Sequence, residues 1–138
     1  MTGDVGADGG PGTAPDSLVV ELTRYRSWDD LVARWTKVVD AIVTGYQFSI
    51  YDYRNDLDSR SIVEDVLLAA RKRGLDAPSG VAGRLAEADA RFMAATRPTT
   101  TQLATRNLGP WASRVPIAPG EELARDIAVE HSSRGGPE

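Results

Sequence analysis

A chain of 138 residues has room for one domain and can bury enough surface for a core without staples. It has no cysteine, which removes disulfides, thiolate catalysis and cysteine-ligated zinc or iron–sulfur centres. The formal charge of −4 belongs to the ends: Met1–Asp16 carries three aspartates and no base, and Glu121–Glu138 five acids against Arg125 and Arg134. Ser17–Gly120 has fourteen bases and twelve acids, a sum of +2.

No basic stripe stands out, so no nucleic-acid partner is expected. No apolar run is long enough for a bilayer, and the N-terminus has neither the basic nor the apolar region of a secretory signal. No membrane partner is expected, and the cytoplasm is the expected compartment.

Met1–Asp16 has five glycines, two prolines and almost no bulky apolar residue. Such a segment buries too little to offset its ordering entropy, which predicts a disordered tail over 1–16. Ser17–Arg26 is short and apolar, and periodicity does not separate a strand from a helical turn there. Ser27 then opens a helix over Trp28–Thr44: its hydroxyl caps, and Asp30 occupies the third helical position. Trp28, Leu31, Trp35, Val38 and Ile42 share one stripe, widened by Val32 and Val39, and Gly45 ends the helix.

Tyr46, Phe48 and Ile50 alternate as in an extended segment. Ser49 with Asp52 offers a second cap, and Ser61 with Glu64 a later one. The pattern predicts one long helix from Ile50 to Arg73, kinked or broken near Asp58–Ser59 if the later cap is used. Tyr53, Leu57, Val63, Leu67 and Ala70 form its stripe. After the loop Leu75–Pro78, Ser79 caps a helix of roughly Val81–Thr96, with Val81, Leu85, Ala88, Phe92 and Ala95 on one face. Pro98 ends it.

Thr99–Pro119 reads as an irregular, proline-rich strap anchored by Leu103, Leu108, Trp111, Val115 and Ile117. Trp111 is either its anchor or a contact residue. Gly120–Glu130 can add a short fourth helix, and 131–138 should fray. The fold expected is all-α: an antiparallel three-helix bundle over 17–130, closed by the strap.

The densest stretch is Tyr46–Arg60, with three tyrosines, a phenylalanine, three aspartates, an asparagine and two arginines in fifteen positions. It is either a buried polar junction or a recognition surface. Catalytic signals are few. The one histidine, His131, lies in the C-terminal tail, and no nucleophile–base pair accompanies it. Asp52, Asp56 and Asp58 miss the EF-hand spacing, because Arg54 and Leu57 stand at the third and sixth loop positions. No Gly-rich element has a phosphate-binding context, and Arg97–Gln102 reads as a polar turn with three threonines.

No catalytic residue, cofactor or metal site is assigned. The leading reading is a non-enzymatic protein–protein interaction domain of adaptor, regulatory or immunity/antitoxin type. Its contact patch is Tyr51, Asp52, Asn55, Asp56 and Arg60, since aromatics and arginine are enriched at interface hot spots. The partner is another protein or a second copy in a homodimer. The alternative is a carboxylate-dependent cation-binding domain or enzyme using Asp52 and Asp56, which lie one helical turn apart.

Overall fold

A computed structural model describes residues 12–135, and their side chains as far as 129. Five α-helices dominate: α1 Asp16–Leu22, α2 Trp28–Thr44, α3 Ile50–Lys72, α4 Ser79–Ala95 and α5 Glu121–Gly135. Two short strands, β1 Thr96–Pro98 and β2 Arg114–Pro116, and a 3-10 turn at Pro110–Ser113 lie between α4 and α5. The mostly helical expectation therefore holds, with one small sheet that it lacked. Among the described residues no helix is long and apolar enough to cross a membrane.

The helix starts follow the local chemistry of the sequence. Ser27 Oγ accepts from the Asp30 amide at 3.1 Å. Ser49 and Asp52 form a full capping box, each side chain accepting from the other residue's backbone N–H. The whole stripe of α2, from Trp28 to Ile42, is buried. The α3 helix runs unbroken past Ser59, so the later cap at Ser61 is not used. Val66 enters its core, and Leu67 only half does. α4 begins two residues earlier than expected, with Pro78 rather than Ser79 at the cap. α2 packs on both α3 and α4, while α1 and α5 lie against α3.

Ser17–Leu22, left open by periodicity, is helical and buries Leu18 and Val19. The segment before it corrects the expected tail at its inner end. Thr13 bridges to Asp76, the Ala14 N–H donates to Asp76 O at 2.7 Å, and Ala14 is 1% exposed. Trp28 Nε1 donates to Ala14 O at 3.1 Å, and the Trp28 amide to Asp16 Oδ1 at 2.9 Å. Backbone bonds to a distant loop hold these residues, so their lack of apolar side chains does not free them. The ordered domain thus begins by Gly12, and the rest of the predicted tail lies outside the described residues. At the other end the helical backbone continues to Gly135, past Glu130 where fraying was expected.

The strap is more regular than its prolines suggest. Pro98 biases the residue before it toward an extended conformation. Thr96, Arg97 and Pro98 pair antiparallel with Pro116, Val115 and Arg114. Trp111 is the anchor: it is buried, and its Nε1 donates to Ser61 Oγ at 3.0 Å. A Cβ at Gly109 would overlap the Trp111 ring, so only glycine fits beside it. Leu103 and Val115 are buried as expected, whereas Ile117 is 60% exposed and is no anchor. Its N–H donates to Ala95 O at 2.9 Å, so the strap is held there by backbone and the side chain is left outside. Of the three threonines in Arg97–Gln102, Thr101 is buried.

Removing residues 1–16 should destabilise the domain by about 1–3 kcal/mol, because it leaves the buried Trp28 indole N–H without its acceptor. Equilibrium urea unfolding reads this, and an unchanged midpoint would show that the segment contributes nothing.

Candidate functional site

The Tyr46–Arg60 stretch divides by helix face. Tyr46, ahead of α3, is fully buried and packs edge-on against Tyr53 and Phe48, with ring centroids 5.2 and 5.5 Å away. Its hydroxyl donates to Asp56 Oδ2 at 2.5 Å. The other oxygen of Asp56 accepts from an Arg34 Nη at 2.6 Å. Asp56 is thus half-buried and tied to α2 rather than left in the exposed patch.

Arg60 points elsewhere. It is 7% exposed, with Nε and one Nη donating to Asp89 on α4 at 3.0 and 2.9 Å. The other Nη donates to Glu64 at 3.1 Å, and the guanidinium carbon lies 4.5 Å from the Trp111 ring centroid. Burial works against its charge. The hydrogen bonds and negative charges of Asp89 and Glu64 together outweigh that, so its pKa is raised. Arg60 is therefore corrected from contact patch to internal junction. Asp58 is fastened too, accepting from Thr105 N and Oγ1 at 2.8 and 2.7 Å.

What remains outside is a small corner at the start of α3. Tyr51 is 79% exposed and Phe48 54%. Asp52 and Asn55 are exposed beside them, Asp52 holding the Ser49 hydroxyl and amide at 2.9 and 3.3 Å. An open cleft of ≈ 330 Å³ is lined by Arg34 and Lys37 from α2 and by Phe48, Asp52, Asn55 and Asp56. A second of ≈ 270 Å³ shares Arg34 and Asn55 and adds Arg24, Tyr25, Asp58 and Ile62. The two clefts, hereafter the groove along α2 and α3, adjoin at Arg34 and Asn55, which line both.

Sequence reasoning placed Tyr51, Asp52 and Asn55 here and missed Arg34, Lys37, Phe48 and Arg24. The 3-residue step from Arg34 to Lys37 on the polar side of α2 was a readable signal. Which helix it would face was not. Among the described residues no three acidic, histidine or cysteine side chains gather in a way that could hold a metal. Both Asp56 oxygens already carry a donor, and Asp52 serves the cap. The side chain of His131 lies outside the described residues. No family model, curated protein or solved structure matches this chain.

Two outcomes follow from this division. Arg60→Ala should destabilise by about 1–3 kcal/mol, because the charge-assisted hydrogen bonds of a buried guanidinium to the partly exposed Asp89 and Glu64 are lost, while Tyr51→Ala and Asn55→Ala should stay within about 0.5 kcal/mol. Denaturant melts of the three variants decide it, and a destabilising Tyr51→Ala would put that ring in the core.

The second outcome concerns pH. Burial, then the Asp56 carboxylate, pushes the Tyr46 phenol above its ordinary value of 10.0, and burial does the same for Tyr53. The unfolded chain releases these protons near pH 10, whereas the folded chain keeps them. Their stabilising contribution is thus complete below pH 10 and is lost as pH rises beyond it. Unfolding free energies measured at pH 8 to 11 should fall above about pH 10, and Tyr46→Phe should flatten that fall. An unaltered slope in the variant would overturn the assignment.

Proposed function

We propose that this chain is a non-enzymatic protein-binding module, of adaptor, regulatory or immunity/antitoxin type, whose contact surface is the α2–α3 corner. The observation that carries the reading is the pair Phe48 and Tyr51. Single exposed apolar residues are ordinary. Here two large aromatic rings project beside a groove, from backbone that a capping box and the Tyr46–Asp56–Arg34 bonds hold in place. Aromatic side chains are enriched at interfaces and tyrosine among their hot spots, and a surface fixed before binding loses less freedom on contact. Asp52 and Asn55 remain in the proposed patch, and Phe48, Arg34 and Lys37 join it.

The carboxylate-dependent reading has less support, because the oxygens of Asp52 and Asp56 are engaged by Ser49, Arg34 and Tyr46. The three long helices are read as an antiparallel bundle. Asp29–Arg84, Trp35–Asp89 and Asp40–Arg91 advance together along α2 and α4, so these two run parallel, which supports an α3 that runs back in the opposite direction beside α2.

A photo-crosslinking phenylalanine analogue in place of Tyr51, introduced into the full chain in its own cells, tests the reading. We expect a discrete protein adduct at position 51, none at the exposed α4 position of Glu87, and loss of the adduct when Phe48→Ala is added. No discrete adduct at position 51 would remove the proposed surface.

A further inference from the structure

The ionised side chains lining the groove are sorted by wall. α2 contributes Arg34 and Lys37, the segment before it Arg24, and α3 Asp52, Asp56 and Asp58. Their formal charges cancel. Arg34 and Asp56 neutralise each other between the two helices. Among the described residues Lys37 and Arg24, at the two ends, have no ion pair, and neither does Asp52. Lys37 shares the first cleft with Asp52, and Arg24 the second with Asp58.

We propose that the groove is the interface of a symmetric homodimer, with the two-fold axis running along it. This rests on the reading of the corner as a protein-binding surface and names its partner as a second copy of this chain. A two-fold contact brings the same patch of both copies together and must be self-complementary. Rotation about an axis along the groove exchanges the walls of the facing copy. Lys37 then meets Asp52 of the partner subunit, and Arg24 meets Asp58 of the partner subunit, each twice.

An axis across the groove would set base against base and acid against acid. A uniformly acidic or basic partner would meet one repelling wall. A surface of zero net charge with its signs sorted to opposite sides is matched by another such surface, and the second copy carries one. Phe48 lines the first cleft beside Lys37 and Asp52 and adds an apolar ring to the same contact.

Sedimentation of the full chain tests this, using Lys37→Glu and Asp52→Lys alone and mixed. The wild type should dimerise, and less so in high salt, which screens such pairs. Each single variant sets like charges against each other and should weaken dimerisation at least roughly tenfold. Their equimolar mixture restores opposite charges at both contacts and should dimerise again.

A wild type monomeric throughout, single variants that still dimerise, or a mixture that stays monomeric would each overturn the proposal. Lys37 is exposed and outside the helix cap, so its variant should fold. If circular dichroism shows that Asp52→Lys does not, the absence of native cysteine gives a second route. Lys37→Cys and Asn55→Cys copies should form disulfides faster when mixed than either does alone, and equal rates would sink the wall-to-wall pairing. A monomeric wild type that still gives a foreign adduct at position 51 would reject the homodimer and leave the protein-binding reading standing.

Discussion

Arg60 is the point through which four parts of the chain are joined. Its guanidinium reaches Asp89 on α4 and Glu64 on its own helix, and lies over the Trp111 ring of the strap. Asp89 Oδ1 also accepts from Trp35 Nε1 of α2 at 2.9 Å. One carboxylate thus takes donors from two helices besides its own. Such a junction is worth little over a well-packed apolar one if it is complete, and is strongly destabilising if one member is lost. Completeness is what ties the parts together: α4 and the strap must reach α3 before Arg60 has its partners, and α2 must arrive before Asp89 has both of its donors.

The same helix carries a second polar station one turn earlier, where Asp56 joins Tyr46 and Arg34. Between them these stations explain why α3 reads so poorly as an amphipathic helix. Its buried face includes Ser59, Arg60 and Ser61 alongside Tyr53, Leu57 and Val63. A hydrophobic pattern finds helices whose inner face is apolar. It cannot recognise an inner face whose polar groups are satisfied by residues about thirty to fifty positions away, as with Asp89 and Trp111.

That contrast sets what could be read from residues alone. The starts of α2 and α3 were legible because a cap lies within three residues of its helix. The α2 stripe was legible because its burial follows the 3.6-residue period. The docking of Gly12–Asp16, the β1–β2 pair and the inward turn of Arg60 were not, since each depends on a partner far along the chain. The choice posed for Tyr46–Arg60, junction or surface, had no single answer. Spacing separated Asp52 and Asn55 from Tyr53 and Leu57 correctly, but it put Asp56 and Arg60 with the exposed set, where only their distant partners could have moved them.

The exposed corner depends on the C-terminal segment as well as on α3. The Gly120 N–H donates to Tyr46 O at 2.6 Å, and a Cβ at Gly120 would overlap that oxygen. Asp126 Oδ2 accepts the Ile50 amide at 3.0 Å, adding a carboxylate to the N-terminus of α3, where its charge suits the helix dipole. The loop that presents Phe48 is therefore held by Asp56 through Tyr46, by Gly120 ahead of α5 and by Asp126 within it. A surface supported in this way has few alternative shapes. If the corner meets a partner as proposed, recognition rests on fixed ring positions rather than on adjustment on contact, and α5, which also buries Leu123 in the core, couples that corner to the rest of the fold.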